Sequence, residues 1–322
     1  MVEGVVTLQY KMADFKFNFA SPESDEEGDI SQEEIHPSLF PRPETLRSAK
    51  EIVIPSDISS FLSSKVDELA IGDGGFSIKH VCEESVEQNL KEKRGNYACD
   101  IVTASAKKSD LIPLVYEGGL KIWECSVDLV KYLMEIELEF KGKRVLEIGC
   151  GAGLPGIFAL LKGAEVDFQD YNEDVIQYVT IPNVLMNLDR LRENTNYESD
   201  LPSFDLKEIA SKRCRFFSGD WGSVVDIINP KSVKEMTYDV ILTSETIYEV
   251  NSHVKLYHFI KSHLKKPNGV VYVAAKTHYF GVGGGTRSFE KLVKTDGVFH
   301  ISACKVYSVG VKREILCMII VS

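Results

Sequence analysis

The stretch RVLEIGCGAGLPGIFALL, Arg144 to Leu161, constrains this chain more than any other part of it. A short apolar run leads straight into Gly149, Gly151 and Gly153, and an apolar helical run follows at once. Glycines at a strand–helix junction let backbone N–H groups approach a ligand closely at the helix N-terminus. Gly151-x-Gly153-x-x-Gly156 also satisfies the dinucleotide pattern GxGxxG, which is a weak signal when it stands alone.

From about residue 110 onward the same logic repeats. Apolar, β-branched runs that end in Gly, Asp or Glu alternate with helical segments: RVLEIGC, EVDFQDY, RFFSGDW, YDVILTSE and VVYVAAK. Two last strands, VFHISACKVYSV and EILCMIIVS, follow with no convincing helix between them. Five strand–helix units closed by an antiparallel pair predict an α/β fold, a Rossmann-like sheet with a C-terminal antiparallel hairpin. A chain of 322 residues that is 44% apolar can bury one large core with an appendage. Residues 110–322 are expected to form the main domain, with 51–109 a mixed extension packing on it and 1–50 an acidic arm.

Acids stand at three consecutive strand ends. Glu147 lies two residues before Gly149, so the loop reads E-x-G-x-G-x-G. A carboxylate there suits a ligand with a cationic amino-acid end or with hydroxyls needing an acceptor, and would repel a pyrophosphate. Asp170 ends the next strand, 23 residues after Glu147, where it can accept ribose hydroxyls. Gly219-Asp220-Trp221 ends the third, offering an acid for an adenine amino group and a ring to stack on it. All three acids project from the carboxyl edge of the sheet, where open α/β folds bind ligands. The pattern therefore favours S-adenosylmethionine over a nicotinamide dinucleotide.

Charge and cysteines bound the setting. The net charge is −11, and residues 1–50, with ten acids and five bases, hold −5 of it. Ser21–Glu34 within that arm is acidic with little to bury and is expected to be disordered, either a docking tail for a basic partner or a solvated leader. Phe15–Phe19, FKFNF, reads as a strand or as a short linear motif. No Lys/Arg-rich run supports direct nucleic-acid binding. An acidic surface suits a basic protein partner, with plain solubility as the alternative. Seven scattered cysteines without a CxxC argue for reduced thiols, a cytoplasmic and nuclear setting, and no zinc site. No secretory leader is read in MVEGVVTLQY and no apolar run reaches membrane-spanning length. A soluble monomer is expected.

At this point the chain resembles a known group. LEIGCGAG with the closing hairpin looks like the seven-strand methyltransferases. EGGLKIWEC, FQDYN, VTIPNV, GDW, TSETIYEV and KTHYFGVGGG, in order between about Ile112 and Ser322, resemble one branch of them. That branch is the eukaryotic histidine-specific protein methyltransferases of the methyltransferase-like class, whose substrate is a large-subunit ribosomal protein. The resemblance implies a seven-strand sheet, S-adenosylmethionine as cofactor and a basic ribosomal protein as partner. It also implies a cofactor site: Ile122, Trp123, Glu124, Cys125 and Ser126 in one segment, Gly149 in the loop, Gln169, Asp170 and Tyr171 after the second strand, Gly219, Asp220 and Trp221 after the third, and Ser244 after the fourth. The family more often has aspartate where this chain has Glu147.

Methyl transfer from a sulfonium is an in-line displacement, so an enzyme mainly supplies alignment and a dry pocket. A lysine, with a reference pKa of about 10.4, must first lose a proton, whereas a histidine near 6.5 is already mostly neutral. A histidine instead needs an acceptor for one ring N–H, so that the other nitrogen aims its lone pair. Glu245, at the end of the fourth strand, is the candidate acceptor, with capping of the next helix as its alternative. Tyr248 is placed to wall the substrate ring, and His278, after the fifth strand, is the third candidate catalytic residue. Beside His278 and Tyr279, Gly281 and Gly283–Gly285 form a mobile loop, either a substrate-facing lid or a plain turn. His253, His258 and His263 lie five apart, off the spacing of one helical face, and read as surface residues.

Rivals remain at this level: a lysine methyltransferase of the same class, a cofactor-binding chaperone for a basic ribosomal protein, and an oxidoreductase suggested by GxGxxG. Tyr116–Leu133 is expected to be a helix docked through Val127, Leu129, Val130 and Leu133. Gly118 and Gly119 at its front allow a tight approach to the glycine loop. Trp123 would shield the methionine part of the cofactor, and Glu124 would reach its charged end or a ribose hydroxyl.

Overall fold

The computed structural model describes residues 47–57, 65–94, 99–194, 205–228 and 237–321. All but the last four residues of the acidic arm, including Phe15–Phe19 and Ser21–Glu34, lie outside the described residues.

Among the described residues, five parallel strands form the centre of the sheet: β4 (Arg144–Ile148), β5 (Glu165–Asp170), β6 (Cys214–Ser218), β7 (Val240–Ser244) and β8 (Val270–Lys276). A hairpin of β9 (Phe299–Tyr307) and β10 (Arg313–Ile320) joins through β10, antiparallel to β8. At the opposite edge β1 (Lys50–Glu51) pairs antiparallel with β6, giving the order β1-β6-β5-β4-β7-β8-β10-β9. The five strand runs and the closing pair were legible in the sequence. The edge strand β1, at the junction of the acidic arm and the extension, was not.

Strand residues alternate between two apolar layers, as the pleat demands. Val145 faces a core shared with α3 (Glu124–Glu135), α4 (Leu154–Leu161) and α6 (Ile181–Asn194). Leu146 and Ile148 face the other, shared with α8 (Trp221–Ile228), α9 (Val250–His263) and α10 (Thr286–Asp296). Burial on both faces explains why these strands read as continuous apolar runs. Between β5 and α6 the chain makes a short α5 (Glu173–Val175) and a π-helical turn (Ile176–Thr180), and α7 (Leu206–Arg213) precedes β6.

The extension is a hairpin, β2 (Val66–Ile71) and β3 (Phe76–Val81), followed by α1 (Glu83–Arg94) and α2 (Asp100–Ala106). Its free edge is held by two asparagines one helical turn apart on α6. Asn183 Oδ1 accepts the Val81 N–H at 2.8 Å; Asn187 accepts the Lys79 N–H at 3.0 Å and donates back to its carbonyl at 2.7 Å.

Two local expectations need correction. The helix expected from Tyr116 begins at Glu124, with Trp123 as its extended N-cap residue, so 116–123 is a loop. His253 and His263 are not surface residues: they are 2% and 1% exposed, and His258 alone of the three is exposed. Ten residues on a helix fall about 80° short of three full turns, so both rings enter the apolar stripe of α9. His253 pairs with the Ile247 carbonyl at 2.9 Å and His263 with that of Phe259 at 2.8 Å. Burial pushes both pKa values down, keeping the rings neutral.

Candidate active site

The chain turns from β4 to β5 on one side and reaches β7 on the other, which opens a crevice at the carboxyl edge of the sheet. A cleft of about 1230 Å³, counting the open solvent at its mouth, fills that crevice. Its floor is the glycine loop. Gly149, Gly151 and Gly153 all have positive φ, at 60°, 49° and 76°. A Cβ on Gly149 would sit 2.4 Å from Thr246 Cγ2, so this residue must be glycine on both counts. Gly119 of the covering loop passes directly above, its carbonyl 3.1 Å from where a Gly151 Cβ would be. The close approach expected of this segment is therefore present at Gly119, whereas Gly118 packs against Trp123 and Asp110.

The loop's N–H groups are already engaged inside the protein. Gly149 donates to Gln169 Oε1 at 3.4 Å, Cys150 to the Gln169 carbonyl at 2.8 Å and Gly151 to Asp170 Oδ2 at 2.9 Å. A pyrophosphate needs such groups free, and it would also meet the Asp170 carboxylate, so the dinucleotide reading of GxGxxG fails here. Among the described residues the cleft is lined by five carboxylates (Glu117, Asp170, Asp220, Glu245, Glu249) and two lysines (Lys121, Lys255). That balance, with the glycine cradle and the aromatic walls of Trp123, Tyr171 and Trp221, fits a cationic sulfonium nucleoside such as S-adenosylmethionine.

Of the cofactor residues named from sequence, Ile122, Trp123, Ser126, Gly149, Gly151, Asp170, Tyr171, Asp220, Trp221 and Ser244 line the cleft. Asp170 also accepts the Asn172 N–H at 3.0 Å, and burial raises its pKa to about 6. Tyr171 donates to the Leu114 carbonyl at 2.9 Å. Asp220 holds Lys255 at 2.7 Å and accepts the Gly222 N–H at 2.8 Å. Trp123 is steered by its indole N–H, which donates to the Gly118 carbonyl at 2.9 Å.

Five named residues stand elsewhere. Glu147 lies beneath the loop, where Oε2 accepts the Gly156 N–H at 2.8 Å at the start of α4, and burial pushes its pKa well up. Glu124 points away from the cleft to Arg313, 3.4 Å distant, and Cys125 is fully buried behind it. Gln169 braces the strand ends, donating to the Gly219 carbonyl at 2.9 Å and accepting the Trp221 indole N–H at 2.9 Å. Gly219 leaves room for the backbone of Ala49, 2.8 Å from where its Cβ would be. Strand ends are legible from local pattern, but the direction in which each side chain turns is not.

At the other end of the cleft, Glu245 follows β7 with φ of 58°, a left-handed backbone that a glutamate adopts at a cost. Its Oε2 accepts the Tyr279 hydroxyl, while buried Oε1 makes no hydrogen bond. Tyr248 also lines the cleft, its hydroxyl donating to Glu117 and its ring edge-on to Tyr279 with centroids 6.4 Å apart. His278 does not reach the cleft. It is exposed and packs against Phe280, because the chain turns after Thr277 and directs Tyr279 inward instead. Nor does the expected mobile loop hang free. Gly284 donates to the Tyr248 carbonyl at 2.9 Å and accepts from the Tyr279 N–H at 3.0 Å, so the turn is clamped onto Tyr248.

Several contributors were not singled out in the sequence reading. Glu117 lies in the covering loop, where burial raises its pKa. Arg47 accepts the Asp220 N–H on its carbonyl at 3.1 Å, stacks its guanidinium 4.7 Å from the Tyr171 ring centroid and donates to the Val115 carbonyl at 3.0 Å. No local pattern marks an arginine more than 120 residues away from the tyrosine it covers. Tyr279 does have one available: it directly follows His278 in the quoted KTHYFG, so a one-residue change of direction decides between them.

A methyltransferase-domain family model matches residues 124–300. The histidine protein methyltransferase 1 homologue of Bos taurus is 39% identical over 304 residues, which is 92% of this chain and 80% of that one. Histidine protein methyltransferase 1 of Saccharomyces cerevisiae is 30% identical over 284 residues, covering 76% of this chain and 74% of its own. The EEF1A lysine methyltransferase 3 of Mus musculus is 26% identical over 156 residues, 48% of this chain and 55% of its own. The chain therefore belongs to the histidine protein methyltransferase family, enzymes that depend on S-adenosylmethionine.

Proposed function

We propose that this protein methylates a histidine imidazole of a protein, with Glu245 holding one ring N–H while the other nitrogen takes the methyl group. One observation carries this reading: Glu245 lines the cleft, and its buried Oε1 lacks a hydrogen bond. A buried acceptor left unmade costs about 1–3 kcal/mol, and a ligand N–H would satisfy it. Bound S-adenosylmethionine supplies an electrophilic methyl group on a sulfonium.

The chain's own residues then do three things. The Gly149–Gly153 loop, Asp170 and Trp221 form the cradle, with Asp170 placed to accept ribose hydroxyls. Trp123 and Ile122 cover it and limit water. Tyr248 and Tyr279 wall the ring, and Tyr279 fixes Glu245 through its hydroxyl. As the ring uses its lone pair it becomes an imidazolium, and Glu245 is placed to take the remaining N–H proton.

The finer reading is that the substrate is a basic large-subunit ribosomal protein. It is supported by the family resemblance of the motifs and by the net charge of −11, which attracts a basic partner. The test is to incubate the protein and labelled S-adenosylmethionine with extract from cells lacking it, then identify the labelled residue. Label on a ribosomal-protein histidine is expected; label on lysine would overturn the histidine reading, and label on a non-ribosomal protein would overturn the substrate class.

A further inference from the structure

Lys276, the last residue of β8, is 3% exposed and has no part in the chemistry above. Its Nζ lies 3.6 Å from Glu245 Oε1, the oxygen without a hydrogen bond. It also stands 5.5 Å from the Trp123 ring centroid and 5.3 Å from that of Tyr279. An ammonium loses strong hydration on burial and is kept inside a protein only by anionic and aromatic partners.

Among the described residues, three titratable side chains face Glu245. They are the Tyr279 hydroxyl from the turn after β8, the Cys125 thiol from α3, and Lys276 itself. Burial pushes the thiol and the phenol far up, so both stay neutral. Arg313, opposite Lys276 on β10, is turned toward Asp128 at 2.6 Å and Glu124 at 3.4 Å. Of these three, Lys276 is the basic partner, at ion-pair distance.

We propose that Lys276 is a positioning and specificity-determining residue. It holds the Glu245 side chain in place for a neutral imidazole N–H, and it sets a basic side chain against a lysine entering the same place. This inference rests on the histidine reading above. An imidazole, near 6.5, arrives neutral, and its N–H can donate to Glu245 before any proton moves. A lysine, at about 10.4, arrives as an ammonium. It would meet Lys276 across a poorly screened gap, where like charges repel strongly. Glu245, already partnered by Lys276, has less to offer as a base for that second cation. Lys276 also touches the cover through Trp123, so a single side chain ties the acceptor to the loop over the cofactor.

The experiment uses the full chain with Lys276→Met and Lys276→Arg, first titrated with S-adenosylhomocysteine, which both should bind within about threefold of the parent. The substrate is the histidine peptide identified by labelling, with a copy bearing lysine at the acceptor position. In the parent, the rate should fall on the acid side only as the imidazole protonates, near pH 6.5. Lys276→Met should move that midpoint upward by about one pH unit and narrow the histidine-over-lysine preference about tenfold, with Lys276→Arg restoring both. An unchanged midpoint with an unchanged preference in a cofactor-binding Lys276→Met overturns the proposal. Should that variant fail to fold, the parent loaded with S-adenosylhomocysteine is offered 4-methylimidazole or n-butylammonium and followed by tryptophan fluorescence. Uptake of the first alone supports the proposal, and equal uptake of both overturns it. A parent that binds S-adenosylhomocysteine yet methylates no histidine removes the histidine reading itself, a result recognisable before any variant is made.

Discussion

At the β4–β5–β6 end of the cleft the polar groups that line it are paired before any ligand arrives, and the unbonded oxygen there, Glu147 Oε1, lies beneath the loop. Asp170 accepts from Gly151 and Asn172, Gln169 joins Gly149, Gly219 and Trp221, and Asp220 holds Lys255. At the β7–β8 end, Glu245 sits on a left-handed backbone with one buried oxygen that lies 3.6 Å from Lys276 Nζ and makes no hydrogen bond. The first region is a mould whose shape is set by internal hydrogen bonds. The second stores an unmet demand for a donor, and such demands persist where function uses them. Binding and chemistry should therefore respond separately to mutation.

The largest effect is expected from breaking the mould at its floor. Gly149→Val places a branched side chain against Thr246 at a positive φ and should weaken S-adenosylhomocysteine binding by at least about 100-fold in calorimetric titration. Acid should be the next strongest probe. Burial raises Asp170 to about 6, so ribose hydroxyls find an ionised acceptor above that pH and a protonated one below it. Cofactor affinity should fall up to about tenfold per pH unit below 6, by one-proton linkage, and a titration series from pH 7 to 5 reads the slope. The sign for folding is opposite. Asp170 binds its proton more tightly folded than unfolded, so its contribution to unliganded stability grows as pH falls from 6 toward 4, where thermal melts can follow it.

Glu147 sharpens the comparison because it belongs to the mould without touching the ligand. Glu147→Ala leaves the Gly156 N–H unpaired and should lower stability by about 1–3 kcal/mol, seen as a lower Tm. Glu147→Gln keeps the acceptor, and with the pKa well raised it removes little charge, so its Tm should stay near the parent's. A large loss of cofactor affinity in a well-folded Glu147→Gln would return this residue to the ligand site. The smallest effect belongs to the cover. Trp123→Phe loses the hydrogen bond to Gly118, about 1 kcal/mol, and should weaken S-adenosylhomocysteine binding about fivefold. Unchanged affinity would make Trp123 simple packing.

Reading from sequence reached the cleft where local pattern sets a residue's position. The glycine loop, Asp170, Trp221 and Glu245 are all set by a strand ending, and a strand ending is visible in a run of ten residues. Side-chain direction is not: Glu147, Glu124 and Gln169 sit in the right segments and turn elsewhere, toward Gly156, Arg313 and Gly219. Contacts across long stretches of chain left no trace either, as Arg47 on Tyr171 and Lys276 beside Trp123 illustrate. The buried pair His253 and His263 failed for a different reason. Spacing was tested for three histidines sharing one face, when two of them ten residues apart already share the apolar stripe.

The most direct measurement is turnover and S-adenosylhomocysteine affinity, side by side, for Glu245→Ala. A loss of more than about tenfold in kcat with affinity within about twofold is expected, because the acceptor is removed and the mould is untouched. Parent-like turnover in a folded, cofactor-binding Glu245→Ala would contradict the assignment of Glu245 as the group that holds the histidine.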